Sequence, residues 1–110
     1  MKKLILTLLL LIPSLSWGKT YMTQCVSDSG NSIYDLSLYT SSADGTIRYR
    51  YMGQDIIYDV HIYSSNNDLV RGIATFKSSN SGETKGNPFD FQYFPSLNKF
   101  SELNIIARCS

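Results

Sequence analysis

Apolar and polar residues alternate over short stretches of this chain, and clusters of Ser, Asn, Asp and Gly separate the stretches. A period of two is typical of β-strands that bury one face, because successive side chains point to opposite faces of a sheet. The clusters recur about every eight to twelve residues, a spacing typical of all-β sandwiches and barrels. The sequence therefore predicts an all-β fold, a small antiparallel β-sandwich or barrel formed by a meander of about six to eight strands.

The first predicted hairpin joins residues 33–40 to residues 46–52. Each stretch has alternating apolar residues on one face, and a four-residue loop at 41–44 would bring the two apolar faces together. Arg48 and Arg50 would then point to the opposite face. The predicted partners are Leu38 with Ile47, Leu36 with Tyr49 and Tyr34 with Tyr51.

A second hairpin is predicted at Gly53 and Gln54. Glycine at the first central position of a two-residue turn is typical of type II′, which needs a positive φ there. This turn would place Arg48 opposite Asp59 as an exposed cross-strand ion pair. The apolar pairs that it predicts are Tyr51 with Ile56, Tyr49 with Tyr58 and Ile47 with Val60.

A third hairpin, with a loop at 64–68, would place the small residues Gly72 and Ala74 opposite large ones. We expect the space above them to be filled by residues 89–94, where Phe89, Phe91 and Tyr93 alternate, or by a final strand at 103–109. The predicted pairs are Ile62 with Val70, Val60 with Gly72, Tyr58 with Ala74 and Ile56 with Phe76.

Two segments do not have the strand pattern. Residues 78–88 contain no large apolar side chain apart from Pro88, which predicts a long exposed loop, either a recognition element or a flexible connector. Residues 96–102 follow Pro95 and predict a short helical turn. In it Ser96 would be the N-cap, and the residues on one side would be Leu97, Phe100 and Leu103.

The beginning of the chain has the pattern of a secretory signal peptide. Lys2 and Lys3 precede a largely apolar run at residues 4–12, which is too short to span a membrane. Ser16 and Gly18 are small residues at the positions three and one before the bond that follows Gly18, which predicts cleavage after Gly18. Cleavage after Ser16 is the second choice. We therefore expect a signal peptide at 1–18, one small β domain at 19–110, a secreted or periplasmic location through the general secretory route, and no stable membrane span after cleavage.

The domain would contain two cysteines, Cys25 near its beginning and Cys109 next to its end. In an oxidising compartment a disulfide between them is the simplest expectation. The alternatives are two free thiols or an intermolecular bridge.

The charge of the expected domain argues against nucleic acid as a partner. Removal of Lys2 and Lys3 leaves eight basic residues against nine acidic ones, and the basic residues are dispersed along the chain. A surface that binds phosphates needs clustered Lys and Arg.

Residues with catalytic or metal-binding chemistry are few. His61 is the only histidine, and we expect it on the outer face of its strand near Arg71. Residues 66–68 could offer oxygen ligands to calcium but are more simply a hairpin turn. Asp55 and Asp59 are the only readable pair of carboxylates for glycoside hydrolysis. We therefore expect no enzyme, no catalytic residue, no metal site and no cofactor.

Eight tyrosines and five phenylalanines are the remaining signal. Tyr39 and Tyr63 should project outward, where tyrosine can provide apolar area together with a polar hydroxyl. The others could simply fill a small core. A tyrosine-lined interior or groove is the alternative, formed by Tyr34, Tyr49, Tyr51 and Tyr58.

These observations favour a non-catalytic binding module whose partner is another protein, as in an inhibitor or immunity protein. The first alternative is a binder of a glycan or a small apolar ligand that uses the tyrosine-lined face, and the second is a structural envelope-associated protein. The candidate binding surface combines the outward tyrosines with polar residues of the long loop: Tyr39, Tyr63, Asn80, Glu83, Lys85 and Asn87.

Overall fold

The structure is a computed structural model that describes residues 18–82, 87–103 and 105–110. Eight antiparallel strands follow one another around a closed barrel, and the last strand pairs with the first. The all-β prediction is therefore confirmed, and the barrel is the correct alternative. The strands are β1 (Thr20–Ser27), β2 (Ser32–Tyr39), β3 (Asp44–Tyr51), β4 (Gln54–Ser65), β5 (Val70–Ser79), β6 (Phe89–Phe94), β7 (Lys99–Glu102) and β8 (Ile105–Cys109).

The expected signal peptide lies almost wholly outside the described residues, which begin at Gly18. In the part of the chain that the structure describes, no helix has the length and hydropathy needed to cross a membrane.

The barrel interior is filled by every second residue of the strands, as the alternation in the sequence predicts. Its centre is aromatic: the rings of Tyr34 and Phe100 lie 4.8 Å apart between centroids, and those of Phe91 and Phe100 lie 5.9 Å apart. Aliphatic residues complete the core. The largest fully buried side chains are Tyr34, Phe91, Phe100, Leu36, Leu38, Ile47 and Val70, together with Cys25.

The predicted disulfide is confirmed and lies where the barrel closes. Cys25 in β1 and Cys109 in β8 are directly opposite each other, with Cα atoms 3.9 Å apart, and their sulfur atoms are bonded. The two strands pair over only three residues each. The disulfide therefore reinforces a short strand pairing between β1 and β8. A disulfide is consistent with an oxidising compartment.

The first hairpin has the predicted faces but a different register. Its turn is at residues 40–43, one residue earlier than predicted, and Tyr34 therefore pairs with Tyr49 rather than with Tyr51. Ala43 has a positive φ of 59°, which lets the chain reverse before Asp44. Gly45 then fits closely against β2, because an added Cβ would overlap the Ser37 carbonyl oxygen.

The second turn is also displaced by one residue, and the prediction of type II′ was wrong. Met52 and Gly53 are the central residues and both have positive φ, 47° and 81°, as a type I′ turn requires. Arg48 consequently forms its ion pair with Asp55, with Nε donating to Oδ1 at 2.9 Å. Asp59, its predicted partner, lies near Lys77 instead.

The third hairpin differs for another reason, since two irregularities interrupt the β4–β5 pairing. Gly72 lies opposite Ile62 rather than Val60, and His61, although exposed as expected, lies opposite Ile73 rather than Arg71. Asn66 organises the turn, because its Oδ1 accepts hydrogen bonds from the backbone N–H groups of Asp68 (2.8 Å) and Leu69 (3.0 Å).

The expected packing over the small residues of β5 is confirmed at Gly72. A Cβ at this position would lie 2.8 Å from Cε2 of Phe91 and 2.6 Å from the His61 carbonyl oxygen. Glycine is therefore required here for Phe91 to enter the core.

The C-terminal helical turn is shorter and earlier than predicted. A 3-10 turn covers Pro95–Leu97, preceded by Phe94 without a side-chain cap, so Ser96 is not the N-cap. Asn98, at φ 52°, ends the turn and directs the chain into β7. Phe100 is buried in that strand, whereas Leu97 and Leu103, predicted to share its side, are exposed. The final strand begins at Ile105 rather than at residue 103.

Candidate functional site: a tyrosine-lined pocket at one end of the barrel

An open-sided pocket of about 540 Å³ lies at the end of the barrel where β2 begins and β7 ends. We call it the mouth pocket. Its described lining consists of Tyr34, Tyr49, Tyr58, Asn87, Pro88, Phe89, Asp90, Glu102 and Leu103.

Aromatic rings form its walls, because inward-facing positions of neighbouring strands meet at this end. Tyr34 and Tyr49 are direct cross-strand partners, with ring centroids 5.0 Å apart. Tyr58 contributes from β4 and meets the ring of Phe89 edge to face at 5.0 Å. These contacts between rings hold the aromatic side chains of the pocket walls in fixed orientations.

Glu102, the last residue of β7, brings a carboxylate to these walls. Its side chain is half-buried, and its Oε2 accepts a hydrogen bond of 3.2 Å from the Tyr34 hydroxyl. Burial raises the pKa of this carboxyl, and the hydrogen bond from Tyr34 opposes the rise to a smaller extent. Among the described residues, no basic side chain forms an ion pair with Glu102.

Two tyrosines of the pocket, Tyr34 and Tyr58, keep their hydroxyl protons. Burial raises the pKa values of Tyr34 and Tyr58, and the charge of Glu102 raises both further. The pocket therefore presents neutral phenols, which can donate hydrogen bonds, beside one carboxylate.

Two exposed apolar side chains lie at the same end of the barrel. Leu103 follows Glu102, lines the pocket and is 80% exposed, and Met52 in the β3–β4 turn is 79% exposed. Both have a φ of 47°, which side chains of this kind rarely adopt.

The structure separates the residues of the predicted binding surface. Asn87 lines the mouth pocket, whereas Tyr39 lies at the opposite end of the barrel and Tyr63 on the outer face of β4, beneath the Arg71 guanidinium. The Asn80 side chain is used within the fold: it donates to the Gly53 carbonyl (3.0 Å) and accepts from the Asp55 N–H (3.1 Å). Glu83 and Lys85 lie outside the described residues.

The tyrosine-lined groove that the sequence suggested as an alternative is present in large part. Three of its four residues line the pocket, and the fourth, Tyr51, stacks on Tyr49 with a centroid distance of 6.3 Å. Sequence reasoning missed Glu102 because it placed this residue in a helical turn. The local signal for a strand was Phe100 between the polar residues Lys99 and Ser101.

Among the described residues, no group of three or more His, Cys, Asp or Glu side chains is arranged to hold a metal ion. Comparisons of the chain with protein-family models, with curated proteins and with solved structures found no match.

Proposed function

We propose that the protein is an exported, non-catalytic binding module that holds a small ligand in the mouth pocket. The observation that carries this proposal is the pocket, since a concave site of about 540 Å³ with aromatic walls and a few polar groups is typical of small-molecule sites. Export is supported by the basic and apolar beginning of the sequence and by the Cys25–Cys109 bond.

The scaffold supports binding at this place more than binding along a strand. Each described strand pairs with a neighbour on both sides, which leaves little free edge for a partner that adds a strand. The walls of the pocket come from β2, β3, β4, β6 and β7, so that the barrel holds them in position before a ligand arrives. Such preorganisation lowers the entropic cost of binding.

A fragment screen by ligand-observed NMR tests the proposal, with neutral sugars, aromatic acids, alcohols and amines as the fragments. We expect at least one class to bind the mature chain and to lose binding in Phe89→Ala, which removes one wall of the pocket. Tyr63→Ala, which removes an exposed ring from the outer face, is the matched control and should bind normally. Equal loss in both variants, or binding unaffected by either, would contradict the proposal.

A protein partner is the second candidate, and the exposed rim of the pocket favours it. Met52 and Leu103 are large, apolar and about four-fifths exposed at the same end of the barrel. Leu103→Ser should release a partner that docks on this rim. A partner captured from the envelope fraction that binds wild type and Leu103→Ser equally would contradict docking at the mouth.

A further inference from the structure

The mouth pocket has an unusual balance of charge. Its described lining contains the carboxylate of Glu102 and no basic residue. Asp90 borders the pocket but is exposed, at a position of β6 that alternates with the inward-facing Phe89 and Phe91. The nearby arginines of β3 are engaged elsewhere: Arg48 is paired with Asp55, and Arg50 is paired with Asp35 at 2.7 Å. The pocket therefore carries a negative charge that the described side chains leave uncompensated.

Glu102 also has capacity to accept more hydrogen bonds. A carboxylate has two acceptor oxygens, and in the part of the chain that the structure describes only Oε2 is bonded, to the Tyr34 hydroxyl. Oε1 has no hydrogen-bond partner among the described residues. A half-buried carboxylate is stabilised when an opposite charge lies within a few ångströms, and a cationic ligand in the pocket could supply that charge.

The walls favour the same kind of ligand. The rings of Tyr34, Tyr49, Tyr58 and Phe89 line or border the space beside the carboxylate. The face of an aromatic ring attracts a cation through its quadrupole, and the attraction grows when water is excluded. Aromatic faces next to a carboxylate attract an organic cation, whereas an anion would be repelled.

We infer that the mouth pocket binds an organic cation, with an amine or alkylammonium group seated between the tyrosine rings and Glu102. This inference rests on the proposed function of the pocket and names the class of its ligand. The cation would interact with Glu102 by charge and with the rings of Tyr49 and Tyr58. Tyr34 is fully buried and would contribute through its hydrogen bond to Glu102.

Binding should depend on pH, because protons compete with the cation for Glu102. The other titratable groups in the described lining are the phenols of Tyr34, Tyr49 and Tyr58 and, at an outward-facing position of β6, Asp90. Burial raises the pKa of Glu102, so a bound cation should favour its ionised form and release a proton. Affinity for the cation should therefore fall as the pH is lowered through the range in which Glu102 is protonated.

A pair of probes with the same shape tests the inference. Choline carries a quaternary ammonium group, and 3,3-dimethylbutan-1-ol has carbon in place of the charged nitrogen. Each is titrated into the ¹⁵N-labelled mature chain, and amide shifts around the mouth pocket give the two dissociation constants. We expect choline to bind at least about tenfold more tightly at pH 7.

Two variants, each lacking one carboxylate, show which carboxylate is responsible for the preference for choline. Glu102→Gln should bring choline to the affinity of the neutral alcohol, whereas Asp59→Asn, which removes an exposed carboxylate from the outer face, should leave the preference intact. Thermal melts verify that both variants are folded. Lowering the pH to 4 should reduce the preference in the wild type and leave Glu102→Gln unchanged.

The outcomes distinguish the inference from the proposed function. Equal affinities for choline and the alcohol in the wild type would overturn the inference and leave the pocket as a binding site. A preference for choline that survives in Glu102→Gln would overturn the role of this carboxylate. If neither probe shifts the mouth-pocket amides, the inference fails, and a negative fragment screen would then remove the proposed function as well.

Discussion

Under the proposed function, stability and ligand binding have opposite requirements at Glu102. The fold half-buries the carboxyl with one hydrogen bond and no described counter-ion, which disfavours its ionised form. The same arrangement leaves a carboxylate available to a ligand. Residues that serve a site are often unfavourable for the empty fold, and under the proposed function Glu102 is such a residue.

Glu102→Gln should therefore stabilise the protein at neutral pH. Burial raises the pKa of Glu102 in the folded state. The cost of burying the ionised carboxylate is therefore absent below the pKa of the unfolded chain, near 4.3. That cost develops as the pH rises through the folded-state pKa. The variant should gain less than about 1 kcal/mol at pH 7, because solvent screens a half-exposed group. Urea unfolding at pH 7 and pH 3.5 measures the difference. A gain that persists at pH 3.5 would contradict this explanation.

Met52→Asn should also stabilise the fold. Met52 has a φ of 47° at the first central position of a type I′ turn, where asparagine is preferred and methionine is strained. The expected gain is about 0.5–1 kcal/mol in thermal or urea unfolding. Gly53→Ala in the same turn, at φ 81°, should lower stability by a similar amount and serves as the control. A neutral or destabilising Met52→Asn would contradict the turn assignment.

At the scale of elements, close contact between neighbouring strands decides which residues are allowed. Gly72 in β5 lies against the Phe91 ring of β6 and against the backbone of β4. Phe91 in turn stacks on Phe100 of β7. One missing Cβ thus allows three strands to share an aromatic core.

Gly72→Ala should destabilise the barrel by about 1–3 kcal/mol, because the new Cβ overlaps both the ring and a carbonyl oxygen. Phe91→Leu in the same chain should recover part of the loss, since it removes the aromatic atoms that the Cβ meets. A double-mutant cycle from urea unfolding measures this coupling. Strict additivity of the two changes would contradict the contact.

The faces of the strands could be predicted from the sequence, but their partners could not. Alternation fixes which residues point inward, so Tyr34, Tyr49 and Tyr58 were placed on one face correctly. Register depends on the turn, and Met52–Gly53 was read one residue late because glycine alone was taken as the signal for positive φ. When a turn is displaced by one residue, each strand residue is paired with a residue two positions away from its true partner. Every side chain then stays on the same face of the sheet, so the pattern of apolar residues does not reveal the wrong register.

The site was harder to predict because it depends on β7. The left-handed conformation of Asn98 ends a short 3-10 turn and allows residues 99–102 to pair with β6. Asparagine adopts this conformation more readily than most residues, but that preference alone does not show where the turn ends. Glu102 reaches the tyrosines only through this pairing, which is a property of the assembled barrel.

At the scale of the whole molecule, closure by β1 and β8 holds the mouth pocket together. Strands from most of the barrel circumference contribute to the pocket walls, so their spacing depends on the barrel remaining closed. The β1–β8 contact is short and contains the disulfide.

Reduction of the Cys25–Cys109 bond should lower the free energy of unfolding by up to about 4.5 kcal/mol, the chain-entropy value for a loop of this length. Urea unfolding of the oxidised chain and of a reduced, alkylated chain gives the difference, and Cys25→Ser with Cys109→Ser is the matched control. A difference below about 1 kcal/mol would show that strand pairing alone closes the barrel.

The most direct test of the mouth pocket as the binding site is an NMR titration of the expected domain, residues 19–110, labelled with ¹³C in its tyrosine rings. A ligand from the fragment screen is added, and the ring signals of all tyrosines are followed. The account predicts that Tyr34, Tyr49 and Tyr58 shift together, while Tyr39 and Tyr63 remain unchanged. Shifts confined to Tyr39 or Tyr63 would contradict it and would place binding on the outer surface.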